Sequence, residues 1–278
     1  MVTTRRLFLV FAACAVLAFG AFRDDAAAGE RAIVVASTTS TQNSGLFDHI
    51  LPLFKTASGI TVNVVAVGTG QAIRLAKRGD ADVLFVHHKP SELAFVADGF
   101  GVRRYDVMYN DFVIVGPKSD PAGVRGMKDA AAALRKIAKA GALFASRGDD
   151  SGTNKAELAL WRAGGVDVAA ASGTWYRETG SGMGATLNTA AGLDAYSLSD
   201  RGTWLSFQNR RGLAILVEGD PRLFNQYGVT LVNPTRFPHV RAADGRAFID
   251  WLLSDAGQAA IAAYRVNGQQ LFFPNAQR

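Results

Sequence analysis

Short apolar runs recur along the chain, each bounded by glycine, proline or small polar residues. Between them lie stretches whose apolar positions repeat every three to four residues. This alternation of strand-like and helix-like segments predicts βαβ units, an α/β class and a mainly parallel sheet. Residues 32–36 read as a buried strand. Residues 46–56 read as a helix with Leu46, Ile50, Leu53 and Phe54 along one face. A strand over 61–67 leads into Gly68-Thr69-Gly70, which opens a helix through Arg78. A strand over 83–86 follows, and Ser91 is placed as the cap of a helix to Asp98.

Residues 105–115 form a long, apolar, extended segment that Gly116-Pro117 ends, and such a segment can cross between two lobes. Beyond it the pattern predicts a helix over 127–140, a strand over 142–146, a helix over 154–163, a short strand over 175–178, a helix from Met183 and a strand over 213–217. Residues 229–232 are expected to return the chain, and helices over 243–253 and 256–264 to finish the first lobe. The expected organisation is thus one lobe from 29–115 with 229–278 and a second from 116–228. Two crossovers imply a hinge, and a hinge between α/β lobes implies a cleft. No internal repeat or low-complexity linker is present after residue 29.

Residues 1–28 read as an export signal: Arg5 and Arg6 supply the positive start, residues 7–19 carry no charge, and Ala26 and Ala28 offer an A-x-A cleavage site. The run is short for a membrane span. Cys14, the single cysteine, lies inside it, so the remainder of the chain has no thiol chemistry. A lipid anchor on Cys14 is the competing reading, and it would leave residues 15–22 as an exposed apolar stub. The expected location is the periplasm.

With 278 residues, 49% hydrophobic and 19% charged, the chain has the composition of a globular protein. The formal charge of +6 suits an anionic ligand. No Lys/Arg cluster is interleaved with aromatics, which argues against a nucleic-acid groove. There is no G-x-S-x-G elbow, no H-E-x-x-H and no complete P-loop. His87-His88 follows a strand, but adjacent side chains on a strand face opposite ways, and no third ligand is apparent, so neither a metal nor a cofactor is expected.

The candidate chemistry sits in small-residue loops that each follow a strand-like run and precede a helix. They are Ser37-Thr38-Thr39-Ser40, Gly68-Thr69-Gly70 and Arg147-Gly148-Asp149-Asp150-Ser151-Gly152-Thr153, with Gly180-Ser181-Gly182-Met183-Gly184 as a fourth opening a helix. In open α/β sheets ligands sit beyond the carboxyl ends of the strands, where helix N-termini present unpaired N–H groups. Gly68 and Gly70 admit close approach of the backbone. Thr38, Thr39, Ser40, Thr69, Ser151, Thr153 and Ser181 add hydroxyl donors, and Arg147 adds a fixed planar cation. Taken singly, each loop is also explained as a helix cap or a turn. Together they suit a small oxyanion stripped of water and surrounded by donors.

These segments carry a resemblance. Ser37-Thr38-Thr39-Ser40, Val65-Ala66-Val67-Gly68-Thr69-Gly70-Gln71-Ala72 and Gly79-Asp80-Ala81-Asp82-Val83-Leu84 belong to it. So do Asp106-Val107-Met108-Tyr109-Asn110-Asp111-Phe112-Val113-Ile114-Val115-Gly116-Pro117, Ser146-Arg147-Gly148-Asp149-Asp150-Ser151-Gly152-Thr153, Gly182-Met183-Gly184-Ala185-Thr186-Leu187, Val217-Glu218-Gly219-Asp220-Pro221 and Val232-Asn233-Pro234. Over the chain from residue 29 they resemble the tungstate-binding component of ABC-type uptake systems, within the type II periplasmic binding proteins. The resemblance implies that fold, with two lobes joined by two crossover segments, and capture of an oxyanion for delivery to an ABC transporter permease. It implies no catalysis, a monomer, and membrane contact only through the permease. It places the ligand against Thr38, Thr39, Ser40, Thr69, Arg147 and Ser151, with Ser181 and Met183 as further candidates. Asn43 stands where the family often has an acidic residue, and His87-His88-Lys89-Pro90 replaces a plainer segment.

Alternatives stay open at this point. A donor-only site suits a fully deprotonated dianion, whereas a phosphate that keeps a proton needs an acceptor, which Asp149 or Asp150 could supply. Charge does not separate tungstate from molybdate or sulfate. A hydrolase or transferase on the same scaffold, or an adhesion or sensor protein, are the other classes.

Overall fold

A computed structural model describes residues 31–277 of the chain; the residues read as an export signal, Cys14 included, lie outside them. The elements run β1 (Ala32–Thr38), α1 (Thr39–Asn43), α2 (Leu46–Ser58), β2 (Thr61–Val67), α3 (Thr69–Arg78), β3 (Val83–Val86), α4 (Lys89–Ala97) and β4 (Gly101–Pro117). They continue through α5 (Ala130–Lys139), β5 (Phe144–Ser146), α6 (Gly152–Ala163), β6 (Tyr176–Glu178), α7 (Met183–Leu193), β7 (Ser197–Asp200), α8 (Arg201–Ser206), β8 (Leu213–Val217) and β9 (Phe224–Val232). The chain closes with α9 (Ala242–Leu253), α10 (Asp255–Ala263) and three two-residue strands, β10 (Arg265–Val266), β11 (Gln269–Gln270) and β12 (Phe273–Pro274).

The main sheet has the order β12-β4-β9-β3-β1-β2, with β7 and β8 also paired to β4. The 17-residue strand β4 organises it. Its first part, from Gly101 to Asp111, pairs with β9, and its second part, from Phe112 to Pro117, pairs with β7 and β8. Alternating side chains let its second part serve two cores: Val113 and Val115 join one cluster with β1, α2 and α9, while Phe112 and Ile114 join another with Leu134, Trp161 and Tyr196.

The α/β class holds, but the expectation of mainly parallel sheets needs correction. β1 pairs parallel with β2 and β3, and β5 with β6; β9, β7, β8 and β12 pair antiparallel to β4, and β3 antiparallel to β9. An apolar run carries no record of strand direction, and antiparallel neighbours need no helical crossover between them.

Two local expectations also change. On α2 the buried residues are Leu46, Phe47, Ile50 and Phe54, whereas Leu53 is 46% exposed; Phe47 draws the apolar stripe to one side and leaves Leu53 at its edge. The cap of α4 is His88, whose ring accepts from Ser91 N–H at 3.3 Å. Pro90 fits the first turn, where its missing N–H is not needed, so the helix starts before Ser91. The pattern gave no hint of α1, β7 or the three terminal strands, all of them short.

Truncating Ile50 to alanine should cost about 2–5 kcal/mol of unfolding free energy in urea titration, whereas Leu53→Ala should cost less than about 1 kcal/mol. Equal losses at both positions would contradict this orientation of α2.

Candidate functional site

Each of the four loops is a strand or extended segment turning into a helix. Thr38 ends β1 and caps α1, its hydroxyl accepting from Thr41 N–H at 3.3 Å. Gly68 precedes α3 without a side-chain cap. Ser151 caps α6, accepting from Asn154 N–H at 3.1 Å. Gly182 precedes α7, again uncapped by a side chain.

The fold brings these loops together. Gly152 N–H donates to Thr69 Oγ1 at 2.9 Å across 83 residues of sequence. A Cβ on Gly68 would lie 3.5 Å from the Asp149 carbonyl, and a side chain on Gly70 would run into Asp150. Ser181 N–H donates to the Arg147 carbonyl at 3.3 Å. The Cβ position of Gly182 is 3.6 Å from Thr39 Oγ1. At 70 and 152 an added Cβ would crowd Asp150 and Thr69, so glycine there is what lets the segments approach; at 68 and 182 the segments are in ordinary van der Waals reach.

Among the described residues of these four loops Arg147 is the cation, and its side chain is 2% exposed. It is not the surface ion pair its neighbours could suggest: its Nη2 donates to Asp149 Oδ2 at 2.5 Å within the interior. The other oxygen of Asp149 accepts from Ser151 N–H at 3.3 Å. Beneath the arginine, Glu157 is buried and accepts from Ser146 Oγ at 2.8 Å, Tyr176 OH at 2.7 Å and Trp161 Nε1 at 3.0 Å. This anchor fixes the end of β5, from which Arg147 springs. Burial pushes the Glu157 carboxyl up to about 7 against the pull of those three donors.

Several buried polar atoms lack a partner: Thr39 Oγ1, Thr153 Oγ1 and Arg147 Nε among the anticipated residues, and Asn110 Nδ2, linked to His87 through Asn225. All can donate. A buried donor without an acceptor costs about 1–3 kcal/mol, so an accumulation of them in one place is a feature that function must explain.

Three anticipated residues contribute differently from expected. Met183 is fully buried and its side chain packs with Leu187 and Ala190 in the core, which leaves only its backbone N–H for a ligand. The Ser181 hydroxyl donates to the Thr179 carbonyl at 3.0 Å. Ser40 Oγ lies 2.9 Å from His87 Nε2, and His87 Nδ1 lies 3.0 Å from Asn225 Oδ1. An amide oxygen only accepts, so the ring proton sits on Nδ1 and Nε2 accepts from Ser40, whose hydroxyl proton is thereby committed.

His87 was set aside in the sequence as a poor metal ligand; the structure shows it instead as a buried hub. Its ring stacks on Tyr227 with centroids 4.8 Å apart, and its Cε1 is 3.2 Å from the Cβ position of Gly152. Burial pushes its pKa down to about 4, the Asn225 hydrogen bond opposes this, and the charges of Arg147 and His88 add to it. Asp200, which caps α8, is a second residue that sequence reasoning missed as part of this region. Burial raises its pKa against the Thr203 hydrogen bonds and the Arg147 charge. The available signals were a histidine directly after the apolar run 83–86 and the helix start Asp200-Arg201-Gly202-Thr203.

Residues 25–256 match the PBP superfamily domain. A tungstate-binding protein of Peptoclostridium acidaminophilum is 48% identical over 250 residues, spanning 88% of this chain and 86% of its own. Among solved structures, a tungstate-binding protein from Desulfovibrio alaskensis G20 aligns with TM-score 0.76 at 44% identity, covering 89% of this chain and 100% of that one. A tungstate ABC transporter structure from Geobacter sulfurreducens aligns with TM-score 0.78 at 50% identity, covering 84% and 99%.

The His87 shift has a definite sign. Its folded-state pKa of about 4 lies below the ordinary 6.5, so the stability it contributes is fully present above pH 6.5 and is lost as pH falls through about 4. In urea titrations between those limits, His87→Gln should show a shallower acid loss than the unaltered protein, by up to about 3 kcal/mol. Identical pH profiles would mean that His87 is not held neutral by burial.

Proposed function

The chain belongs to the PBP superfamily and, within it, to the tungstate-binding proteins of ABC uptake systems, and we propose that it captures tungstate between two lobes and hands it to the permease. Members of this family are binding proteins of transport systems, not enzymes, and they work outside the cytoplasm. The observation that carries the ligand assignment is the set of unpartnered buried donors on Thr39, Thr153 and Arg147, where the four loops meet. Thr38, Thr69, Ser151 and the backbone N–H groups of Ser40, Gly68, Gly70 and Met183 complete the donor set in this reading. No covalent step is involved.

Acceptors are scarce in that set, which favours a fully deprotonated dianion. Both oxygens of Asp149 are already engaged, by Arg147 and by Ser151 N–H. Asp150 is more than half exposed and pairs with Lys155 at 3.1 Å. Neither is a free buried acceptor for the proton of a phosphate monoanion or hydrogen phosphate; the buried Asp200 Oδ2, which has no partner, is the acceptor that remains in this region. The preference for tungstate over molybdate and sulfate rests on the relatives' names.

In this reading residues 29–115 with 229–278 form one lobe and 116–228 the other, with β4 and β9 as the crossovers. Two of the loops come from each lobe, so only a closed form assembles every donor, and the ligand shifts the hinge by binding that form better. The Gly152–Thr69 hydrogen bond would be a closing contact. Arg201 links α8 to β4 and β8 through Asp111 at 2.6 Å and Glu218 at 2.8 Å, which supports a hinge held in register. Residues 1–28 would direct export to the periplasm, where the protein acts as a monomer without a cofactor and meets the membrane only through its permease.

Calorimetric titration with tungstate, molybdate, sulfate and phosphate should give strong binding for tungstate and the weakest for phosphate. Arg147→Ala should weaken tungstate binding by about a hundredfold, near the upper range for loss of a charged hydrogen bond, while the circular dichroism spectrum stays folded. Absent or equal heats for all four ions would overturn the ligand assignment.

A further inference from the structure

Asn110 lies on β4 opposite Asn225 of β9 in the strand register and is 1% exposed. Its Oδ1 accepts from Asn225 Nδ2 at 2.6 Å. Asn225 Oδ1 accepts in turn from His87 Nδ1 at 3.0 Å, and His87 Nε2 accepts from Ser40 Oγ at 2.9 Å. The four side chains form one directed chain of donors and acceptors, each proton pointing the same way. The end of the chain is Asn110 Nδ2, an amide nitrogen with two N–H bonds and no partner.

The chain starts at the first loop, at Ser40, and ends on β4, at Asn110, beside Tyr227 and Thr41. His87 touches both Ser40 and the Gly152 backbone region. Phe112, on the same face of β4 as Asn110, has its ring centroid 6.4 Å from that of His87. A hydrogen-bonded chain of this kind has two senses. Reversed, it would free the Ser40 proton and turn the Asn110 oxygen outward, exchanging a donor for an acceptor. The sense found here gives the amide that an anion needs.

We propose that Asn110 is a further oxyanion-binding residue, and that Ser40, His87 and Asn225 are positioning residues that hold its amide N–H groups towards the ligand. This rests on the reading of the site as an oxyanion cleft. The nearest competing partner for the amide is the Tyr227 hydroxyl, which lies beside Asn110, Asn225 and Thr41. It forms no hydrogen bond of acceptable geometry with any of them.

The test is calorimetric titration of sodium tungstate into the purified protein and its variants, with a thermal melt of each ligand-free variant. Asn110→Ala should weaken binding about tenfold or more. Asn110→Asp keeps the shape but sets a carboxylate against the anion, and should weaken it about a hundredfold; it carries the test should the alanine variant fail to fold. Asn225→Ala should weaken binding less than Asn110→Ala, and the double variant should bind no more weakly than Asn110→Ala alone, because Asn225 acts through Asn110. Unchanged tungstate affinity in Asn110→Ala and Asn110→Asp, with or without a lowered melting temperature, would overturn the assignment while leaving the oxyanion cleft intact. Fully additive losses for Asn110 and Asn225 would overturn the positioning role. Absence of heat from the unaltered protein with all four oxyanions would overturn both this inference and the reading beneath it.

Discussion

A donor that is buried without an acceptor is a standing cost, and this fold gathers several at one point. Thr39, Thr153, Arg147 and Asn110 each carry such an atom. Further unpartnered buried atoms sit on Arg104, Ser197, Asp200, Thr203, Tyr227 and Thr230; what marks Thr39, Thr153 and Arg147 is that all three are donors on the loops, which points to a site completed by something that accepts. A small dianion meets that requirement, since every oxygen is an acceptor and none donates. Desolvating it is costly unless donors replace its water from all sides, and donors from four loops can do so where one loop could not.

Arrangement of the loops follows from β4 and from glycine. One long strand pairs with β9 along its first part and with β7 and β8 along its second, so the elements at both ends are held to a common axis. Gly70 and Gly152 then remove the side chains that would keep the loops apart. Arg147 is kept from moving by Asp149 at its tip and by the Glu157 anchor at its base. A rigid guanidinium beside small hydroxyls is suited to select charge and geometry together, which is the role proposed for it.

Much of this was legible in the residues. The four loops stand out because each couples an apolar run to a helix start through Gly, Ser and Thr, which are local signals. The α/β class and most elements follow from periodicity for the same reason. What escaped notice depends on contacts distant in sequence. His87 and Asn225 are 138 residues apart, and Asn225 and Asn110 are 115 apart; no spacing rule joins them. The commitment of the Ser40 hydroxyl to His87 and the packing of Met183 into the core are likewise tertiary facts. Strand direction was invisible, so the antiparallel partners of β4 were not anticipated. A polar asparagine in the midst of Tyr109, Phe112 and Val113 was the one clue to Asn110, because strand interiors admit such a residue only when its amide has work to do.

The account turns on one ion meeting all of these donors at once. Anomalous diffraction at a tungsten absorption edge, from crystals of the protein grown with tungstate, measures that directly. A single tungsten peak with its oxygens within hydrogen-bonding distance of Arg147 Nε, Thr39 Oγ1, Thr153 Oγ1 and Asn110 Nδ2 is the expected result. A peak held by one loop alone, or located away from Arg147, would contradict it.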